Sequence, residues 1–422
     1  MKRLFIIVLI IISLNAATLA AGVGRVGADE TKAAKAEDGF ALKDGDRVLF
    51  YGDSITEQRL YTTYVEHYVL TRYPERRVAF INTGWGGDQV TRNECAPCNG
   101  VGGLARIKRD VIDHRPTVVT LLFGMNDGRY YDFDEPTLKV YVDGLTAIIR
   151  EIKSKTQARI YVMTPTVYDG TRNTPWSHTT RYNDVLDRYS EAAKQIAARE
   201  QLPVIDLHAT TTDALMRAKK NDSAYTFLPD GVHPQEDGQL VMATEILRAW
   251  GAPASGVEAT ASIHNPMALD TSQATETVVV NAPLPWPDPL PSDKLRAVWP
   301  QIIEMGAVKL RVPKLALSGK YKLSVDGGDP INFTADELAR GIALNQLSKK
   351  AQEESRAVAG LIRKRADWFF TRWRQIEVPY AAEYKTTGNV VTAFDSLIAE
   401  MAERARAMAK PHSYHVTISR EQ

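Results

Sequence analysis

The chain has 422 residues and nearly balanced charge, 52 Lys and Arg against 51 Asp and Glu. That length accommodates one large and one small domain, and the balance leaves no basic footprint for nucleic acid or an anionic membrane surface. Two cysteines are too few for a zinc centre of the usual ligand count.

Met1 to Ala21 reads as a secretory signal peptide. Lys2 and Arg3 form a basic start, Leu4 to Leu14 an apolar core, and Ala17 to Ala21 a small-residue cleavage zone. The apolar core is too short for a stable membrane span, with an uncleaved signal anchor as the alternative. The protein is therefore expected to be exported, periplasmic or extracellular, with no stable span after signal removal.

From Arg47 to about Leu247, short apolar runs alternate with amphipathic segments. The runs are Arg47–Tyr51, Val78–Asn82, Val118–Phe123, Arg159–Thr164 and Pro203–Leu207. None shows a polar alternating face, which is the pattern of parallel strands buried on both sides. Helix-like stretches such as Leu138–Lys153 and Thr180–Glu200 lie between them. This βαβ series predicts an α/β domain over 38–251, a parallel five-stranded sheet with helices on both faces.

Four short motifs punctuate the series: Gly52-Asp53-Ser54-Ile55, Gly86-Gly87-Asp88, Gly124-Met125-Asn126-Asp127 and Asp230-Gly231-Val232-His233. The first three fall just past predicted strand ends, where open α/β sheets place their sites. Ser54 supplies a hydroxyl at a strand-to-helix junction. His233 is the best base, because Asp230 three residues earlier can accept its Nδ1–H and fix the tautomer. The N–H groups of Ser54 and Gly87 and the side-chain amide of Asn126 can surround an oxyanion. Asp53 and Asp127 are expected to hold loop backbones. Each motif alone is a common turn or cap; their order in one βαβ series points to nucleophilic acyl transfer, a serine esterase.

Cys95 and Cys98 follow the second motif as C-x-x-C. In an exported chain a tight structural disulfide is the preferred reading. Trp85, Tyr130, Tyr168 and Trp176 are candidates for an aromatic substrate rim, with Arg92 and Arg129 available for hydroxyls or a carboxylate. His114, His178 and His208 lack a matching Asp and read as structural. No cofactor and no metal are expected.

Past Gly251 the composition changes. Residues 252–300 read as an extended Thr/Pro-rich linker, with strand patterns at Glu258–His264 and Thr275–Asn281 and prolines at alternate positions from Pro283 to Pro291. Residues 301–422 read as a smaller α+β region. Strands are expected at Val308–Val312 and Lys320–Val325, with a turn at Asp326-Gly327-Gly328-Asp329. Thr334 and Glu337 make a capping box, and long helices follow at Leu347–Gln375 and Val391–Lys410.

The four motifs together resemble the SGNH (GDSL) hydrolase superfamily over about residues 40–250, roughly half the chain. The resemblance implies a flavodoxin-like doubly wound sheet, with the nucleophile at Ser54, oxyanion donors at Ser54, Gly87 and Asn126, and the Asp and His at Asp230 and His233. Ile55 stands where the shorter family name has Leu, and the Cys95–Cys98 insertion is a further departure. The tail past Gly251 resembles the C-terminal region of bacterial secreted members and implies no activity. With a polar-aromatic rim and no long apolar lid, the expected partner is a small-molecule or polysaccharide ester, with deacetylation of carbohydrate foremost. A lipase or lysophospholipase acting on longer acyl chains is the rival enzyme, and a non-catalytic glycan-binding protein on the same fold the rival from another class. The oligomeric state is left open.

Overall fold

The computed structural model describes residues 30–32, 39–263, 275–313, 319–380 and 386–421, with Leu269, Leu315 and Ala382. The segment read as an export signal lies outside the described residues, as does His264. A short strand, β1 (Glu30–Lys32), precedes the first domain. There β2 (Arg47–Gly52) leads through the one-turn helix α1 (Ser54–Glu57) into α2 (Leu60–Arg72) and β3 (Ala79–Asn82). The chain continues through α3 (Gly103–Asp110), β4 (Val118–Leu122), α4 (Glu135–Lys155), β5 (Arg159–Met163) and α5 (Tyr182–Arg199). It ends with β6 (Val204–Ile205), α6 (Leu207–Asn221) and α7 (Glu236–Ala249).

The five strands β2 to β6 are all parallel, in the order β3-β2-β4-β5-β6. Every residue of β4 is buried, and so are all but one of β5, as strands covered on both faces require. Strand order reverses at β2, so loops leaving β2 and β4 diverge and open a crevice at the carboxyl edge. Local chemistry fixes the helix starts: Asp134 accepts from Thr137 N–H at the head of α4, and Asp206 from Ala209 N–H at the head of α6.

The second half is built into the molecule. After β7 (Val257–Thr260) and β8 (Thr275–Ala282) come α8 (Asp293–Val298), α9 (Gln301–Gly306), β9 (Val308–Arg311), β10 (Lys320–Val325) and β11 (Ile331–Thr334). Next are α10 (Ala335–Arg340), with the Thr334/Glu337 capping box formed, β12 (Ile342–Ala343) and α11 (Leu344–Leu347). Helix α12 (Lys349–Phe370) runs on into a π-helical stretch, Thr371–Glu377, before α13 (Thr387–Met408) and β13 (His412–Arg420). Strands β1, β8, β13, β10 and β11 make a second five-stranded sheet, and β12, β9 and β7 a three-stranded one.

The stretch 252–300 is thus no free spacer. Leu284 and Trp286 in its proline run are fully buried, and Trp286 donates its indole N–H to Tyr64 O of α2 at 2.9 Å. Burying those two side chains outweighs the extended, solvated state that alternating prolines favour on their own. Arg72 of α2 donates to Leu284 O and Gly306 O, and Arg365 of α12 forms a buried ion pair with Glu66 of α2. One contiguous core runs through both halves. Helix α2 is the joint: every residue from Tyr61 to Thr71 is buried, because α7 packs on one side and α12 on another.

Candidate active site

Ser54 opens α1 directly beyond β2, with Asp53 as its N-cap accepting from Ile55 N–H at 3.0 Å. The Ser54 hydroxyl lies 2.8 Å from His233 Nε2, and His233 Nδ1 lies 2.6 Å from Asp230 Oδ2. Asp230 Oδ1 accepts from the backbone N–H of Val232 and His233, which locks the Asp-Gly-Val-His turn around the carboxylate. Partial burial opposes ionisation of Asp230, but the His233 ring and those two N–H groups carry its pKa down to about 2. The carboxylate is therefore charged throughout the working range and holds Nδ1 protonated, leaving Nε2 as the acceptor of a serine proton.

Gly87 has φ +75, and a Cβ there would stand 2.4 Å from Cys95 Cβ, so this position requires glycine. Among the described residues no acceptor is paired with its N–H. Asn126 is held at both ends: Tyr130 OH donates to its Oδ1 at 2.9 Å, and its Nδ2 donates to Asp88 O at 3.1 Å. One amide hydrogen is left for a ligand. Ser54, Gly87 and Asn126 thus line one cleft of about 560 Å³ together with His233.

Buried polar groups set these loops. Arg106 is fully buried and donates to Asp88, to Thr83 O and to Gly52 O, tying the loop after β3 to the end of β2. Glu57, at the end of α1, accepts from Gly86 N–H at 2.8 Å. Asp127 accepts from Val90 N–H at 2.8 Å, as Asp53 does from Ile55. Each of these two aspartates buries its second carboxylate oxygen without a partner. Desolvation pushes both up to about 7, and the charge of Asp53 adds to the shift of Asp127.

The predicted rim divides. Arg129, Tyr130 and Trp176 line the cleft, Trp176 edge-on to Tyr130 at 6.4 Å. Arg129 and Tyr130 both take positive φ, 58° and 60°. Three candidates lie elsewhere. Trp85 is buried, because its ring is the plane on which the Arg109 and Arg374 guanidinium groups stack. Tyr168 is buried edge-on against Tyr182, its backbone bracketed by the Asn183 amide. Arg92 does not line the cleft itself but is bonded to Gln89 and paired with Glu94, both of which do. Cys95 and Cys98 are disulfide-bonded and form part of the cleft wall.

Sequence reasoning missed Glu57, Gln89 and Glu94 in the cleft and Arg106 beneath it. Glu57 had a signal, three residues after Ser54 on one helical turn; the others are placed only by tertiary folding. Among the remaining histidines, His208 bonds to Asp187, and His178 stacks on Tyr131 outside the cleft. His114 is half-buried, and desolvation lowers its pKa to about 4. Among the described residues no group of three His, Cys, Asp or Glu is placed to hold a metal ion, and no helix is long and apolar enough to cross a membrane.

This arrangement has the parts of nucleophilic acyl transfer, and the chain is similar to known esterases. Residues 50–241 match the GDSL-like lipase/acylhydrolase family. An acetylxylan esterase of Geobacillus stearothermophilus is 28% identical over 231 residues, covering 50% of this chain and 96% of that protein. The GDSL esterase/lipase WDL1 of Oryza sativa subsp. japonica is 27% identical over 197 residues, 40% of this chain and 72% of that one. Among solved structures, BT4096, a gut microbial diltiazem-metabolizing enzyme, aligns with a TM-score of 0.74 at 21% identity, over 90% of this chain and 98% of that one. That likeness concerns the fold, and it extends over both halves. Residues 50–241 thus resemble a GDSL (SGNH) hydrolase domain, here on a flavodoxin-like sheet, and that likeness together with the esterase relatives supports a carboxylic ester hydrolase.

Proposed function

We propose that the protein is an exported serine esterase that removes acetyl groups from carbohydrate through an acyl-enzyme. The observation that carries this reading is the Ser54–His233–Asp230 hydrogen-bond chain opening on a cleft with no aliphatic side chain among the described lining residues. Glu57, Gln89, Glu94, Arg129, Tyr130 and Trp176 give it polar and aromatic surfaces, which suit a short acyl group and a hydroxylated leaving group. The similarity to an acetylxylan esterase supports the same substrate class. Export rests on the leader-like first 21 residues and on the Cys95–Cys98 disulfide, which suits an oxidising compartment.

In this reading Ser54 Oγ attacks the ester carbonyl while His233 Nε2 takes its proton. Asp230 stabilises the resulting imidazolium. The N–H groups of Ser54 and Gly87 and the free amide hydrogen of Asn126 bind the oxyanion. His233 then gives its proton to the departing sugar oxygen, leaving an acyl-serine. Water attacks that ester with His233 again as base, and the acid leaves.

The test is hydrolysis of p-nitrophenyl acetate by the mature protein beside Ser54→Ala, followed by a chain-length series and acetate release from acetylated xylan. Expected are a loss of at least about 10³-fold in kcat for the variant, a maximum at acetyl, and release from the polymer. Equal activity in the two proteins would overturn the serine mechanism. A maximum on long acyl chains would overturn the carbohydrate reading.

A further inference from the structure

We infer that Arg374, from the second half of the chain, is a positioning residue for the oxyanion loop, so that the catalytic site is completed only when the C-terminal region is docked. The inference rests on the assignment of Gly87 as an oxyanion donor.

Arg374 sits on the π-helical stretch that prolongs α12. Such i→i+5 turns are uncommon and recur at functional sites. Here the stretch delivers two adjacent side chains to the catalytic domain. Trp373 is buried, its indole N–H 2.9 Å from Asp110 Oδ1 and its ring edge-on to Trp85 at 5.7 Å. The Arg374 guanidinium lies 3.5 Å from the Trp85 ring centroid and donates to Cys98 O at 2.7 Å. Its Nε is 3.6 Å from Glu57 Oε1.

Three pieces of the site meet at this one group. Cys98 O also accepts the Trp85 indole N–H at 2.9 Å, so Arg374 and Trp85 together fix the disulfide turn that forms the cleft wall beside Gly87. Glu57 is the acceptor of Gly86 N–H. That bond fixes the Trp85–Gly86 peptide, and Asn93 Nδ2, donating to Gly86 O at 2.9 Å, holds the next peptide, the one that carries the Gly87 N–H. Glu57 is largely buried. Desolvation raises its pKa and Arg374 opposes the rise, so the cation keeps the carboxylate available as an acceptor. The guanidinium donates to a carbonyl and lies at ion-pair distance from a carboxylate while stacking on an indole, a combination that an ammonium cannot reproduce.

The effect of losing Arg374 falls on kcat. An oxyanion donor acts on charge that develops in the transition state, and its displacement by a fraction of an ångström weakens that contact more than ground-state binding. The experiment compares wild type, Ser54→Ala, Arg374→Met, Arg374→Lys, Glu57→Gln and the Arg374→Met/Glu57→Gln double variant. It measures kcat and KM on p-nitrophenyl acetate, normalised to sites titrated with a serine-directed phosphonate (to protein concentration for Ser54→Ala), together with the thermal midpoint.

Expected is a loss of about ten- to hundredfold in kcat per titrated site for Arg374→Met, with KM within about threefold. Arg374→Lys should be intermediate, and the double variant no worse than its weaker parent. Wild-type turnover per titrated site in Arg374→Met, or losses that multiply in the double variant, would overturn the inference while Ser54→Ala stays silent. Activity in Ser54→Ala would instead overturn the serine reading beneath it. Should Arg374→Met fail to fold, Arg374→Lys and Glu57→Gln decide: wild-type kcat in both overturns the inference, and a kcat loss at unchanged KM in both supports it.

Discussion

Asn126 has one amide hydrogen committed to Asp88 O and its oxygen committed to Tyr130, so the remaining hydrogen points where those two bonds direct it. Asn126→Ala is expected to lower kcat by about 10²- to 10³-fold with little change in KM, measured on p-nitrophenyl acetate. A rise in KM with kcat unchanged would instead place Asn126 in ground-state binding. Asp127 makes a different prediction. Burial raises its folded pKa to about 7, above the unfolded value near 4, so the folded state holds a proton that the unfolded state releases between those limits. Its contribution to stability is full below about pH 4 and is lost as pH rises toward 7. Urea unfolding of wild type and Asp127→Asn should show the wild type losing ground with rising pH, at a slope of at most about 1.4 kcal/mol per pH unit. A pH-independent difference between them would mean that Asp127 ionises normally in the fold. At this scale the sequence was informative wherever a residue belongs to a short motif whose function is local, as with Asp230 and His233 in one turn. It misled at Trp85 and Tyr168. A loop aromatic turns inward or outward according to what packs beside it, and the arginines that claim Trp85 come from α3 and from beyond α12.

Strands β2 to β5 fall within a residue or so of the apolar runs that forecast them, since a strand covered on both faces leaves an uninterrupted apolar signature. The stretch 252–300 was harder to read, because its prolines encode an extended backbone and say nothing of what covers Leu284 and Trp286. Neither the continuation of α12 as a π-helix nor its approach to the active site has a local signal. The disulfide turn was legible as a pair of cysteines, though not as a wall of the cleft. Replacing both with serine is expected to cost no more than about 2 kcal/mol of stability, because the bridge closes a loop of only a few residues. The same change should lower kcat several-fold by freeing the turn against which Gly87 packs, an outcome read from urea midpoints and initial rates. Unchanged kcat with lost stability would show that the bridge serves the fold alone.

At the scale of the whole molecule, the two halves share one core and a buried ion pair. Arg365→Met leaves Glu66 charged and unpaired beside α2, and should destabilise by about 3–5 kcal/mol in chemical unfolding. Adding Glu66→Gln should recover a large part of that loss; no recovery would mean that packing of the Arg365 stem, rather than its charge, is what matters. Removal of everything past Gly251 strips the cover from α2 and takes away the partners of Glu66 and Arg72, so the remaining α/β half is expected to lose cooperative unfolding. The complete burial of α2 also bears on how this enzyme can be recombined. A chimaera that joins the first 251 residues of a shorter relative to this C-terminal half inherits whatever that relative displays on the outward side of its own second helix. Crossovers placed at the domain boundary therefore break a matched pair of surfaces, and a productive shuffling library must move α2 together with the region that covers it.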